Sequence, residues 1–426
     1  MTNVIALPRP REARSQPDPL AFFVRVGRND HREMLELLAT GERGVFGVVI
    51  EAQYLKRHRD LVTEVRSRDY DLILDPKTQP MGFPGGLTEK LSALPWGLTR
   101  HHNVTDFDGA AGRAVAVQIV EMAVANRFTQ ILGPTHLLRG PNDPWLRRDI
   151  KMMDWTADAI SASGKKIGLI YSLAVPMEVL RDQAQRLALT EAIADAPCDT
   201  IWLKIENFGL DATGEKTAAY VDSCRAFHAR GLPIVADHVG GLPGLAALAF
   251  GAVGGIAHGV TLHQNFKAAS WRRPSASSGG GLSWRVYLPQ LDMLMKSPTA
   301  ETLLRTSPRV RALCGCRDTH CCPHGVRDMI GRPARHALYQ RSREVESLSG
   351  TPQELRAARF IEERVRAVSD SVAALAALPG LPSELQKSFL KKQRDTSRFR
   401  QAMAHLTQTL PDQSVAIAPK RRRGSG

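Results

Sequence analysis

Four of the six cysteines, Cys314, Cys316, Cys321 and Cys322, fall within nine residues, while Cys198 and Cys224 stand apart. A disulfide framework spreads its cysteines through a small secreted chain, whereas a tight cluster points to metal. Residues 314–324 read Cys-Gly-Cys-Arg-Asp-Thr-His-Cys-Cys-Pro-His, and His336 heads a helical pattern beyond them. Zinc takes four tetrahedral thiolate or imidazole ligands. A Cys-x-Cys pair, a third cysteine and a helical histidine would supply them: Cys314, Cys316, Cys321 or Cys322, and His336. Adjacent side chains do not easily point at one ion, so Cys321 and Cys322 are alternatives, with His320 and His324 as further candidates. Sulfur-rich coordination leaves no open position for substrate, which makes the expected Zn2+ structural.

A second group of reactive residues punctuates the ends of apolar runs. It comprises Arg25 and Arg28, Glu51, Asp75, His136, Ser172, Glu206 with Asn207, Asp237 with His238, and His258 with His263. An ionisable group at the end of an apolar strand is costly to bury unpaired, so it is functional or salt-bridged. Asp75 precedes a proline and also suits a loop cap, and Asp237 also suits an ion pair with a barrel arginine. Glu206 and Asn207 offer paired acceptor and donor groups to a substrate, and His238 is placed with them. Gly240 and Gly241 would let a backbone approach a flat base or a phosphate closely.

These residues need a scaffold that gathers strand ends. Short β-branched or apolar runs at 22–26, 46–51, 71–75, 128–133, 167–172, 200–206, 233–238 and 254–259 alternate with helical patterns. The helices are expected at 30–38, 54–66, 110–125, 144–163, 176–193, 216–229 and 242–250. Such alternation implies parallel βαβ units, and eight strands are the count that closes an α/β (β/α)8 TIM barrel. An open doubly wound sheet competes, but no Gly-rich dinucleotide fingerprint follows the first strand. The long 77–108 stretch reads as an active-site loop or lid. Turn residues at 272–281 close the barrel region, and helical patterns near 335–347, 352–377 and 383–408 form an appendage. The expected division is a mobile tail over 1–18, a catalytic barrel over 19–290, a zinc-binding helical basic region over 291–410, and a basic disordered tail over 411–426.

The net charge is +14, and residues 291–426 carry 24 basic and 13 acidic side chains. A region this basic favours a polyanionic partner, because each cation placed on a phosphate releases counterion. Lys391, Lys392, Arg394, Arg398 and Arg400 fall within ten residues of a helical pattern, and with the tail they are the expected contacts. A hydrophobic fraction of 43% excludes a mostly disordered chain. No run approaches the ~18 apolar residues of a membrane span, and the N-terminus lacks an apolar signal segment. A soluble, cytoplasmic protein that engages no membrane is expected.

A barrel followed by Cys-x-Cys, a third cysteine and a histidine heading a His-x-Leu-Tyr helix resembles the queuine and archaeosine tRNA-guanine transglycosylases. The likeness spans residues 46–348. Four residues separate Cys316 from Cys321 where the family has two, and the departures resemble the branch that inserts 7-deazaguanines into DNA. The resemblance implies a pentosyltransferase that exchanges guanine in DNA or tRNA for a 7-deazaguanine base. Asp75 matches the family's acid/base position, although the Ser-Gly-Gly that follows there is missing. The last barrel strand lacks the family's nucleophilic aspartate, and Asp237, one strand earlier, is the nearest substitute. A glycosyl-aspartate would form on Asp237 with retention overall, and Asp75 would need a raised pKa from partial burial. The alternative is a non-catalytic nucleic-acid-binding subunit on the same barrel. A homodimer or partner proteins are left open.

Overall fold

The computed structural model describes residues 19–40, 44–68, 70–273, 284–409 and 415–422. The expected N-terminal tail and most of the 272–281 turn segment lie outside the described residues. Eight strands run in one direction: β1 (Ala21–Arg25), β2 (Gly47–Glu51), β3 (Asp71–Asp75), β4 (Gln130–Leu132), β5 (Gly168–Pro176), β6 (Thr200–Glu206), β7 (Ile234–Asp237) and β8 (Gly255–Gly259). Each pairs in parallel with the next, and β8 returns to β1, so the sheet closes into a TIM barrel. All eight expected strands are present.

Strand pleating decides which residues enter the lumen, because successive side chains point to opposite faces. Phe23, Val49, Ile73, Leu132, Ile170, Trp202, Val235 and Ala257 form one buried apolar layer inside the ring. Their neighbours Phe22, Val24, Val48, Ile50, Leu72 and Leu74 belong to the larger core between ring and helices. Two residues beyond the lumen layer, the same parity delivers Arg25, Glu51, Asp75, Lys204 and Asp237 to the C-terminal end of the ring. His258 has the opposite parity and packs against Phe22, with ring centroids 4.8 Å apart, so it lies outside the mouth.

The expected lid is folded structure. Residues 77–108 include helices Thr78–Met81 and Glu89–Ser92 and a 3-10 turn Val104–Phe107. Trp96 is buried and its indole N–H donates to the Pro76 carbonyl at 3.0 Å. Gly85 N donates to the Trp271 carbonyl at 2.8 Å, which ties this segment to the chain beyond β8.

After the barrel an antiparallel hairpin, β9 (Arg285–Leu288) with β10 (Met293–Lys296), leads into helices Pro308–Cys314, Pro333–Ser349, Arg366–Ala376 and Ser383–Thr409. The last helix packs on Gly214–Cys224, where a Cβ on Gly214 would meet the Phe399 backbone at 2.6 Å. Residues 415–422 differ from the expected disordered tail, because they run beneath the barrel. Ala416 N donates to Gly251 O at 2.9 Å, Arg422 N to Asp71 Oδ1 at 3.0 Å, and Arg421 to Val45 O at 3.0 Å. Arg421 also lies over the Phe46 and Tyr70 rings. Among the described residues, no helix is long and apolar enough to cross a membrane.

Candidate active site and metal centre

Arg25 is the hub of the barrel mouth. Its Nε and one terminal nitrogen donate to the two Asp237 oxygens at 2.5 and 2.7 Å, and its other nitrogen donates to Asp75 Oδ2 at 2.7 Å. The two aspartates expected to carry catalysis therefore meet on one guanidinium, from strands on different sides of β1. Lys77 adopts the left-handed region at φ 59°, which turns its N–H back onto Asp75 Oδ1 at 2.8 Å. Its ammonium donates to Glu51 at 3.0 Å. Lys204, the direct register partner of Asp237 across β6 and β7, lies 3.5 Å from Asp237 Oδ2 and donates to Gln79 Oε1 at 2.7 Å. Gln79 in turn donates to Thr135 and Ser172.

Electrostatics fixes the charge states. Burial pushes the Asp75 carboxyl up, but Lys77, Arg25 and Lys204 outweigh it and hold it at about 2. Burial likewise opposes charge on Asp237, and Arg25 and Lys204 overcome it, so that carboxyl is also held below its ordinary value. The expected raised pKa for Asp75 is not found, because three cations surround it. Burial lowers Lys204 to about 8, against the pull of Asp237. Burial, with Arg25 and Lys204 nearby, keeps His238 well below its usual range, so its 3.4 Å approach to Asp237 joins a neutral ring to a carboxylate. The site thus holds two ionised carboxylates, a fixed guanidinium and one amine that titrates near neutral pH.

The expected substrate-binding residues divide. Glu206 ends β6 inside the mouth, and both its oxygens are taken by Arg272 at 2.7 and 2.6 Å. Asn207 is exposed, in the left-handed region, with its N–H on Phe266 O. The two do not act as one donor–acceptor pair. Gly240 and Gly241 are needed by the protein itself. A Cβ on Gly240 would meet Gln264 Oε1 at 2.4 Å, and one on Gly241 would meet Leu210 Cδ1 at 2.4 Å, with φ 67° besides. The space expected for a base or phosphate is filled by side chains. Lys204, Lys77 and Gln79 were not expected. The signal for Lys204 was present, a lone lysine inside the apolar run Ile-Trp-Leu-Lys-Ile, two residues past an inward tryptophan.

The cysteine cluster forms a second site. Cys316, Cys321, Cys322 and His336 are buried, with ligand atoms all within 4.8 Å of one another. Zinc bonds of about 2.3 Å to sulfur and 2.0–2.1 Å to nitrogen imply tetrahedral edges of about 3.8 Å between sulfurs and about 3.5 Å between sulfur and nitrogen. The Cys321–Cys322 sulfurs are 3.7 Å apart, and they lie 3.3 and 3.5 Å from His336 Nδ1. The residues therefore fit a four-coordinate ion. Two expectations are corrected. Cys321 and Cys322 both join the group, because the turn after Asp318, whose carboxylate accepts from His320 N and Cys321 N, presents both thiols. Cys314 does not join it, because it ends helix Pro308–Cys314 and faces the apolar core, where burial pushes its thiol up to about 12.

The cysteine–histidine group is wired to the barrel. His336 Nε2 meets the Tyr287 carbonyl at 3.0 Å, the partner that fixes a ligating imidazole. Tyr287 donates to Asp292 and Glu344, and Arg341 stacks 3.9 Å over its ring and bridges to both carboxylates. Asp292 accepts Leu242 N at 2.9 Å, in the first turn of helix Gly241–Ala249, which follows β7 and Asp237. Of the expected basic contacts, Lys392 belongs to this network and donates to Asp292 O, and Lys391 pairs with Asp395. Arg394 and Arg398 are exposed.

No family model and no curated protein matches the chain. Solved structures resemble it at low identity. The carboxyl transferase domain of Rhizobium etli pyruvate carboxylase with pyruvate has 10% identity and TM-score 0.40, covering 93% of this chain, which spans 62% of that one. A GH10 xylanase from Bispora sp. MEY-1 with xylobiose has 9% identity and TM-score 0.39, covering 56% of this chain and 84% of that one. A putative phosphonomutase from Burkholderia cenocepacia J2315 has 15% identity and TM-score 0.34, covering 57% and 86%. The barrel assignment rests on the strand pairing above.

Proposed function

We propose that this chain is a transglycosylase that exchanges a guanine in DNA or tRNA for a 7-deazaguanine. The observation that carries the reading is the convergence of Asp75 and Asp237 on Arg25, at the end of the barrel where such folds do their chemistry. Asp237, ionised, attacks the anomeric carbon as the bond to guanine breaks, leaving a glycosyl-aspartate. The departing guanine needs a proton, and Lys204, beside Asp237 and brought down to about 8, is the donor poised to supply it. The incoming base must lose the proton on its glycosidic nitrogen as it displaces Asp237. The neutral Lys204 amine left by the first displacement takes that proton back, which closes the cycle, while Asp75, held at about 2, stays ionised and balances the charge of Arg25. Retention follows from the two inversions.

The Asp237 side chain has no exposure, so substrate entry requires the groups around it to move aside. In this reading the Cys316, Cys321, Cys322 and His336 group holds a structural zinc, and Arg394 and Arg398 contribute phosphate contacts. The test is incorporation of labelled 7-deazaguanine into DNA and into tRNA by wild type and Asp237→Asn, with nucleosides read by mass spectrometry. Wild-type exchange abolished by Asp237→Asn, with zinc content intact, is expected. Full exchange by the variant removes Asp237 from the mechanism. Nucleic-acid binding by a wild type that exchanges nothing favours a non-catalytic subunit.

A further inference from the structure

The opposite end of the barrel carries a cavity of about 540 Å3 that the mouth chemistry does not use. It lies below β3, β4 and β5, about 13 Å from the mouth along β3 at ~3.3 Å per residue. Six cations line it: Arg66, Arg68, Arg127, Lys165, Lys166 and Arg422, and none of its described lining residues is a carboxylate. Arg68 is satisfied by Glu64 and Arg422 by Asp199. Arg66, Arg127, Lys165 and Lys166 are exposed, and among the described residues none has an ion-pair partner. Like charges gathered in one concavity repel, and an anion placed among them relieves the repulsion.

Two local features show that the cavity is constructed. Arg127 follows helix Gly109–Ala125 with φ 53°, a position where helices ordinarily place glycine. An arginine held in that conformation delivers its guanidinium to the cavity at a backbone cost. Gly168 is bare because a Cβ there would meet the Arg422 guanidinium at 2.7 Å, so β5 leaves room for that cation. The Tyr70 and Phe128 rings and the Thr63 and Ser67 hydroxyls complete a wall of mixed character. The volume is that of a small-molecule site.

We infer that this cavity binds a polyphosphate-bearing ligand, with phosphoryl oxygens on Arg127, Lys165 and Lys166. A free nucleoside triphosphate and a nucleic-acid strand share that chemistry. Calorimetric titration of the full chain with inorganic tripolyphosphate, ATP, GTP and a short single-stranded DNA tests it. The variants are Lys165→Glu/Lys166→Glu and, separately, Arg127→Gly, which relieves the left-handed backbone and removes only the guanidinium. Expected is salt-sensitive binding of at least one probe, weakened about tenfold or more by the double variant, and weakened by Arg127→Gly without loss of thermal stability. Triphosphate binding displaced by tripolyphosphate identifies a nucleotide ligand. Binding of the DNA alone, with the same sensitivity, identifies a strand. Either upholds the site. Failure of all four probes to bind, or binding that both variants leave unchanged, overturns it.

Discussion

Replacing Arg25 with methionine isolates the hub of the mouth. The side chain is 5% exposed and makes three charge-assisted hydrogen bonds to Asp237 and Asp75, whose side chains are 0% and 8% exposed. Removing one member of a buried ion cluster costs about 3–5 kcal/mol, because the remaining charges stay buried without compensation. Lys204 remains 3.5 Å from Asp237, so the lower end, about 3 kcal/mol, is expected at pH 7. That is a large part of a typical total of about 5–15 kcal/mol. The pH dependence should change sign. In the wild type both carboxyls lie below their unfolded values, so their stabilisation is complete above the unfolded pKa and is lost as pH falls through the folded values, for Asp75 toward about 2. Without Arg25, burial should lift Asp237 above its unfolded value, and the variant should gain stability as pH falls toward that value. Urea denaturation followed by tryptophan fluorescence reads both, with Trp202, whose ring lies 5.7 Å from the Arg25 guanidinium carbon, as a local reporter. Adding Asp237→Asn to the variant should recover part of the loss. A loss under about 1 kcal/mol at pH 7, with the wild-type pH profile retained, would refute the cluster as described.

Three further outcomes are expected. Purified protein should hold one zinc per chain, lost in both Cys321→Ser and Cys322→Ser but kept in Cys314→Ser, as read by elemental analysis. Gly241→Ala should destabilise by about 1–3 kcal/mol through its left-handed φ and the overlap with Leu210, and thermal denaturation measures this. Arg394→Glu/Arg398→Glu should weaken nucleic-acid binding and reduce its salt slope by about two, whereas Lys392→Glu should reduce thermal stability, because its ammonium is bonded to Asp292 O inside the appendage.

The barrel was legible because its signal is periodic. Eight apolar runs separated by helical patterns have few other closed solutions, and the polar residues ending those runs marked the mouth. Pairing was harder to read. That Asp75 and Asp237 share Arg25 follows from strands 50 and 212 residues apart in sequence coming together. Inward parity was available, however: stepping two residues past Phe23, Ile73, Trp202 and Val235 names Arg25, Asp75, Lys204 and Asp237 without coordinates. The cysteine–histidine group was legible by residue type but not in detail, since helix ends and turns decide where adjacent thiols point. The glycines after Asp237 resemble a ligand cradle, and only the positions of Gln264, Leu210 and Asp292 show otherwise. Composition located the basic region but could not tell Lys392, folded inward, from Arg398, facing water.

The strand of chain at 415–422 gives the molecule a temporal order. A ribosome releases β8 long before it releases Ala416 and Arg422, so a nascent barrel must wait with Gly251, Asp71 and the Phe46 and Tyr70 rings uncovered at its lower rim. During that interval the appendage can assemble, and the closing segment arrives only afterwards to stitch the loop before β8 to the starts of β2 and β3. A chain interrupted after Thr409 would carry every residue of the mouth and of the metal group yet lack its seam. Its defect would surface as slow maturation and loss to proteolysis rather than as altered chemistry.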